Sequence, residues 1–213
     1  MAMRSFSHWT PRYLSARLQE KAYRSANPVL PWLTPEANQF LQGYLSPSDN
    51  GLEFGAGRST VWLAPRIHTL TSVDHNPLWF KKVESMLAEK DIHNVTLLLR
   101  QRTEADGPEG ETAPYTAVVE TIAKASLDFV LVDGTYRAAC ALGAITCLKP
   151  GGVLILDNAN IYLPCRSHSP NSRTEATGPL TPLWSSFLHA TKTWRRYWTS
   201  NGVSDTAFFF KTL

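Results

Sequence analysis

Short apolar segments alternate along this chain with segments whose apolar residues recur at helical spacing. The apolar segments read GLEFG from Gly51, HTLTSVD from His68, NVTLLL from Asn94, LDFVLVD from Leu127 and GGVLILDN from Gly151. A strand that is apolar along its whole length is buried on both faces, as in parallel sheets whose crossover helices cover both sides. The pattern therefore predicts an α/β fold with a doubly wound parallel sheet.

The two ends of the chain depart from this alternation. Residues 1–45 are predicted to form a helical lead-in, in which Thr34 caps a helix, and the main domain is expected to span residues 46–213. At the other end, two aromatic-rich segments flank Asn201 and Gly202, which is a hairpin signal. The sheet is therefore expected to end in an antiparallel pair of strands.

The composition is that of one globular domain in a reducing compartment. A chain of 213 residues with 43% hydrophobic content can bury a single sizeable core. No stretch approaches the roughly 20 apolar residues that cross a bilayer, and the first residues lack the apolar segment of a secretory signal. Three cysteines without CxxC spacing and a net charge of +3 indicate neither a disulfide framework nor a nucleic-acid surface. We therefore expect a cytoplasmic protein with no membrane and no nucleic-acid partner.

The most specific motif is LEFGAGRST, which begins at Leu52 and continues the first apolar strand. Glycines at a strand-to-helix turn present free backbone amides and let a ligand approach, although a tight turn without a ligand would use the same residues. Asp74 closes the next strand about 20 residues beyond the first glycine, where a carboxylate can accept both hydroxyls of a ribose. Together the two features predict a ribose-bearing ligand.

Two ribose-bearing cofactors compete for this loop. The dinucleotide fingerprint GxGxxG fails because its third glycine would fall on Thr60. The carboxylate of Glu53 would repel a pyrophosphate, but it suits a ligand that carries an ammonium group and a sulfonium. The residues therefore favour S-adenosylmethionine over a dinucleotide.

The chain resembles the class I S-adenosylmethionine-dependent methyltransferases at four motifs that occur in the family's order. These motifs are LEFGAGRST, SVDHN, LDFVLVDG and LKPGGVLILDN, and the resemblance covers roughly residues 50–160. It implies a Rossmann-like sheet of seven strands in the order 3-2-1-4-5-7-6, with strand 7 antiparallel.

The same resemblance implies a set of cofactor-binding residues. Glu53, Gly55 and Gly57 would line the methionyl end of the cofactor, Asp74 would hold the ribose and His75 would lie beside the adenine. Ser59 stands where many members of the family have a third glycine. The full implied set is Glu53, Gly55, Ala56, Gly57, Ser59, Asp74, His75 and Asp133.

Catalysis is expected at the carboxyl ends of the fourth and fifth strands. In an open parallel sheet the site lies outside those ends, and Asp133, Asp157 and Asn158 occur there. Methyl transfer mainly needs a positioned acceptor and sometimes a base, so these three residues are the predicted catalytic group.

The same three residues offer oxygen ligands for Mg²⁺. Their placement resembles the metal site of the catechol-type (family 24) small-molecule methyltransferases, the closest subgroup. The match is incomplete, because that subgroup tends to have a lysine or a further acid just after the first aspartate. Here Gly134, Thr135, Tyr136 and Arg137 follow. Metal-free catalysis and a structural capping role therefore stay open.

The predicted function is transfer of a methyl group from S-adenosylmethionine to a hydroxyl of a small molecule or sugar. The NPPY-like signature of amino-group methylases on nucleic acid is missing, since VDGTY stands at that place from Val132. A non-catalytic S-adenosylmethionine-binding or assembly protein with the same fold stays open, and so does a homodimer. An aminopropyltransferase is disfavoured because the sequence offers no acidic channel for a polyamine.

Overall fold

The computed structural model describes residues 9–213, so residues 1–8 of the predicted lead-in lie outside it. Its strands are β1 (Asn50–Phe54), β2 (Thr69–Asp74), β3 (Val95–Leu99), β4 (Leu127–Val132), β5 (Leu148–Asp157), β6 (Arg195–Ser200) and β7 (Asp205–Phe210). They form one sheet in the order β3-β2-β1-β4-β5-β7-β6. The pairs among β1 to β5 are parallel, whereas β7 runs antiparallel to β5 and β6. The predicted fold class, strand order and antiparallel strand 7 are confirmed.

Helices connect the strands and cover the sheet. Within the described residues the α-helices are α1 (Pro11–Ala26), α2 (Pro35–Tyr44), α3 (Arg58–Leu63), α4 (Pro77–Glu89), α5 (Arg137–Ala144) and α6 (Pro182–Ala190). Thr34 Oγ1 accepts a hydrogen bond from the Ala37 amide at 3.3 Å, which confirms the predicted cap of α2. None of these helices is long and apolar enough to span a membrane.

Strand β4 shows why the apolar segments form the centre of the sheet. Val130 and Val132 pack on one face, in the cluster that includes α5 and α6. Phe129 and Leu131 pack on the other face, with side chains of α2 and α3. All four side chains are buried. A strand with helices on both sides has no polar face, which is the pattern that its sequence predicts.

The N-terminal segment, residues 9–45, lies over the edge of the sheet formed by the carboxyl ends of the parallel strands. The Thr34 amide donates to Thr206 Oγ1 at 3.3 Å, and the hydroxyl oxygens of Thr34 and Thr199 are 2.5 Å apart. Helix α1 approaches the turn between β6 and β7, where a Cβ on Gly202 would lie 3.0 Å from Ala16 Cβ. The segment therefore covers the edge where ligands bind in open α/β sheets. The domain boundary near residue 45 stays a prediction.

Candidate functional site

The glycine loop after β1 is wedged between the ends of β2 and β4. Gly55 has φ of +103°, and a Cβ at this position would lie 2.7 Å from the Gly134 amide nitrogen in the loop after β4. The Gly55 and Ala56 amides both donate to Val73 O, at 2.8 and 3.2 Å. The Gly57 amide donates to Thr60 Oγ1 in the helix that follows, at 2.8 Å. The expectation of free amides is therefore wrong for these three residues. What the glycines offer instead is a backbone that a ligand can approach closely.

A cavity of about 190 Å³ lies in front of this loop. Five of the predicted cofactor-binding residues line it, together with Arg58 and two tryptophans. The five are Gly55, Ala56, Gly57, Ser59 and Asp133, and the tryptophans are Trp32 and Trp79. Trp79 Nε1 donates to Ala56 O at 2.6 Å, which fixes its ring beside the loop. Trp32 comes from the N-terminal segment, so that segment forms part of the wall.

Glu53 lies behind the loop rather than in the cavity lining. Its Oε2 accepts hydrogen bonds from Thr60 Oγ1 and Ser72 Oγ, both at 2.5 Å. Its Oε1 is buried and has no hydrogen-bond partner within residues 9–213. Burial raises the pKa of Glu53 from an ordinary 4.5 to about 7, although neighbouring hydroxyl groups oppose the shift. With a pKa of about 7, this buried carboxyl group is only partly ionised near neutral pH.

We expect this carboxyl group to make the stability of the ligand-free protein depend on pH. Because its pKa is raised on folding, the folded state binds more protons than the unfolded state, and stability is lost as pH rises through this window. A shift from 4.5 to about 7 corresponds to a loss of about 3 kcal/mol between pH 4.5 and pH 8. Urea denaturation across this range should show a loss that is about 3 kcal/mol smaller in Glu53→Gln than in wild type, since the other buried carboxyl groups remain in both proteins. The exposed control Glu36→Gln should follow wild type, and equal slopes in all three proteins would contradict the assignment.

Asp74 and His75 lie at the end of β2, outside the cavity lining. Asp74 is 5% exposed, and its Oδ1 accepts a hydrogen bond from the Asn76 amide at 2.7 Å. Burial raises the pKa of Asp74. The Nδ1 atom of His75 is buried without a hydrogen-bond partner in the described part of the chain. Trp79 belongs to the helix that follows and reaches the glycine loop, so it links this end of β2 to the cavity.

Tyr115 packs against residues at the carboxyl ends of β1 and β2. It comes from the long loop after β3, is fully buried, and its ring centroid lies 5.6 Å from Phe54 and 6.2 Å from His75. Its hydroxyl is 3.4 Å from Val73 O. A Cβ on Gly134 would lie 2.0 Å from this hydroxyl, so only glycine fits there. The loop after β3 therefore contributes an aromatic side chain that no motif indicated.

The structure brings Asp133, Asp157 and Asn158 together at the ends of β4 and β5, around the guanidinium of Arg137. Arg137 Nη2 lies 2.9 Å from Asp133 Oδ1 and donates to Asp133 O at 2.6 Å. Its Nη1 donates to Asp157 O at 2.5 Å and to Asn158 Oδ1 at 3.4 Å. Arg137 is not among the site residues predicted from the sequence, although its spacing of four residues from Asp133 is that of a helical ion pair.

The two carboxyl groups of this cluster have different surroundings. The Asp133 side chain is 32% exposed and faces the cavity. Asp157 is 5% exposed, and its Oδ1 accepts a hydrogen bond from Thr206 Oγ1 at 3.0 Å. Burial raises the pKa of both groups, and the negative charge of Asp133 raises that of Asp157 further. Arg137 acts in the opposite direction on both. Direct contact with Arg137 therefore favours the ionised form of Asp133, whereas burial and the Asp133 charge favour the protonated form of Asp157.

This arrangement does not fit a divalent metal. The Arg137 guanidinium already supplies the positive charge between the three residues, and its contacts with Asp133 Oδ1 and Asn158 Oδ1 use oxygens that a metal would need. Residues 9–213 contain no group of three or more His, Cys, Asp and Glu side chains that could hold a metal ion. The suggestion of Mg²⁺ at Asp133, Asp157 and Asn158 therefore has no support in the site.

Solved structures share the fold of this chain. No protein-family model and no curated protein matches it. A candidate O-methyltransferase from Klebsiella pneumoniae aligns over 96% of this chain and 91% of its own, with 18% identity and a TM-score of 0.58. A candidate rRNA methylase from Clostridium thermocellum aligns over 84% and 94%, with 11% identity and a TM-score of 0.57.

A candidate methyltransferase from Streptococcus mutans, solved in complex with SAH, aligns over 83% of this chain and 96% of its own. Its identity is 10% and its TM-score is 0.54. At such identities the likeness concerns the fold alone. The chain therefore has the Rossmann-like fold found in these methyltransferase structures.

Proposed function

We propose that the protein is an S-adenosylmethionine-dependent methyltransferase that acts on a hydroxyl group of a small molecule or sugar. The observation that carries this proposal is the cavity in front of Gly55, Ala56 and Gly57, which has the Asp133 carboxylate in its wall. The shared fold supports the cofactor assignment, since one of the similar structures holds SAH.

The residues around the cavity fit a cationic cofactor. When bound, S-adenosylmethionine would supply a methyl group activated by a sulfonium. Aromatic faces and carboxylates attract such a cation, and Trp32, Trp79 and Asp133 line the cavity. The glycines and Ser59 would hold the methionyl end, and Asp74 with His75 would hold the adenosine end. The buried, unpartnered Nδ1 of His75 is a polar atom that a ligand can satisfy.

The chain's own contribution to the reaction is positioning and proton handling. Asp133 is the partly exposed carboxyl group at the cavity, and in its ionised form, which Arg137 favours, it can accept the proton of an acceptor hydroxyl. Arg137 fixes its orientation through the contact at 2.9 Å. Asp157 lies beneath this pair, tied to Thr206, and acts as a positioning residue. We propose this metal-free arrangement rather than the catechol-type one, because Arg137 stands where an ion would.

Calorimetric titration with SAH tests the cofactor assignment. We expect binding by wild type, and a loss of about 1.5 to 3 kcal/mol in Asp74→Ala, the scale of hydrogen bonds to a charged group. Asp74→Asn keeps an acceptor for the Asn76 amide and should lose less. Glu84→Ala removes an exposed carboxylate from α4 and should bind as wild type does. A wild-type protein that gives no heat with millimolar SAH but binds NAD would overturn the proposal.

A further inference from the structure

A larger cavity of about 660 Å³ lies directly beside the cofactor cavity. The two share Trp32 and Arg58, which line both. The far wall of the larger cavity is α1, which contributes Leu14, Arg17, Leu18, Glu20, Lys21 and Arg24. A molecule bound there would lie between the N-terminal helix and the glycine loop, next to the proposed methyl donor.

The larger cavity has an excess of positive charge. Four cationic side chains line it, against one carboxylate, Glu20. Both oxygens of that carboxylate are already engaged, by Arg17 at 2.5 Å and by Arg24 at 2.6 Å. Lys21 has no hydrogen-bond or ion-pair partner within residues 9–213, and Arg58 donates only to the neutral Pro28 carbonyl, at 3.0 Å. Two cations therefore remain without a counter-charge.

An aromatic surface lies among these cations. Trp32 is 54% exposed, and the guanidinium groups of Arg24 and Arg58 lie 4.8 and 5.0 Å from its ring. Such contacts hold the ring in place and leave part of its surface to a ligand. Leu14 and Leu18 are also exposed on the α1 side. Burial raises the pKa of Asp133, and the charge of Arg24 is among those that oppose this rise.

We propose that this basic cavity binds the methyl acceptor, and that the acceptor is a small molecule with a carboxylate or phosphate group on an aromatic or apolar body. The inference rests on the proposed function, since it assigns the acceptor side of the same site. The anionic group would pair with Lys21 and Arg58, and the apolar body would lie on Trp32. A volume of about 660 Å³ is that of a small-molecule pocket. A nucleic-acid surface would instead be an extended basic stripe.

Matched probes test the inference by binding rather than by turnover. SAH binding is measured first, so that failure of the proposed function is seen separately. The SAH-saturated protein is then titrated with 4-hydroxybenzoate, phenyl phosphate and the neutral 4-hydroxybenzamide. We expect at least one anion to bind about tenfold more tightly than the amide, the scale of a charge-assisted contact, and its advantage to shrink at high salt. Equal binding of all three probes, or none at millimolar concentration, would overturn the inference.

Two charge-reversal variants test whether the anionic probe binds in this cavity. Lys21→Glu breaks no hydrogen bond or ion pair with the described residues, and it should remove the preference for the anion while leaving SAH binding unchanged. Lys192→Glu makes the same change at an exposed position before β6 and should behave as wild type. This position is near the amino ends of the parallel strands, whereas the cavity is at their carboxyl ends. An anion preference that survives Lys21→Glu would contradict the assignment. Tighter binding of a single-stranded RNA that Lys21→Glu abolishes would also overturn it, in favour of a nucleic-acid acceptor.

Discussion

Gly57→Val is expected to abolish SAH binding, with a loss of about 100-fold or more in affinity, while leaving the protein folded. The backbone of Gly57 has φ of −179°, an extended conformation that valine can adopt. A Cβ built there meets only the Trp79 ring, at 3.8 Å, within 4 Å. The added side chain would therefore project into the cavity of about 190 Å³ where the cofactor is proposed to bind.

Gly55→Ala is the matched comparison, because the two glycines are constrained for different reasons. At Gly55 the φ of +103° disfavours any side chain, and the new Cβ would lie 2.7 Å from a backbone atom of Gly134. We expect a loss of about 2 to 4 kcal/mol in the free energy of unfolding. Calorimetric titration with SAH measures the loss of binding in Gly57→Val, and urea denaturation measures the loss of stability in Gly55→Ala. Full SAH affinity in Gly57→Val would show that the cofactor lies elsewhere.

The fold could be predicted from the sequence because its strands are encoded locally. The runs VTLLL of β3, FVLV of β4 and VLIL of β5 are mostly apolar, and each is followed by polar residues where the strand ends. The carboxyl ends of parallel strands meet at one edge, so Asp133, Asp157 and Asn158 could be placed together without knowledge of their contacts. The strand order came from the resemblance to a known family, since periodicity does not determine which strands are neighbours.

The remainder of the site depends on contacts that no local pattern contains. Trp32 reaches the cavity because contacts distant in sequence hold the N-terminal segment in place, such as the one between Thr34 and β7. Trp79 follows a helix cap, where the spacing of apolar residues suggests core packing. Glu53 was expected in the cavity lining, but Thr60 and Ser72 hold it behind the loop. Each position follows from tertiary packing between segments far apart in sequence.

Arg137 illustrates a different limit of sequence reasoning. Its spacing of four residues from Asp133 in the sequence is that of an ordinary surface ion pair on a helix, which contributes little stability. In the structure its side chain is only 12% exposed, and its donors reach main-chain oxygens of both β4 and β5. It therefore fixes two strand ends relative to each other. The spacing of Arg137 from Asp133 does not reveal how many partners Arg137 has. That number distinguishes a surface ion pair from a side chain that holds two strand ends together.

The second large effect is expected at Asp133. In Asp133→Asn the amide oxygen can still accept the hydrogen bond from Arg137, but the group can no longer take a proton from an acceptor hydroxyl. Asp128→Asn is a matched control on the same strand. Asp128 is also ion-paired, with Lys149 at 2.8 Å, and its side chain is 26% exposed compared with 32% for Asp133. It lies at the opposite end of β4, away from the cavity.

We expect Asp133→Asn to lower methyl transfer by about 100-fold or more, the scale for loss of a positioned base, while SAH still binds. Asp128→Asn should retain wild-type turnover. The measurement uses methyl-labelled S-adenosylmethionine with a cell extract, and then the purified acceptor. Wild-type turnover should persist in EDTA, because Arg137 rather than a metal supplies the positive charge beside Asp133. Near-normal turnover in Asp133→Asn would place the base elsewhere, and EDTA inhibition that Mg²⁺ reverses would restore the metal-dependent alternative.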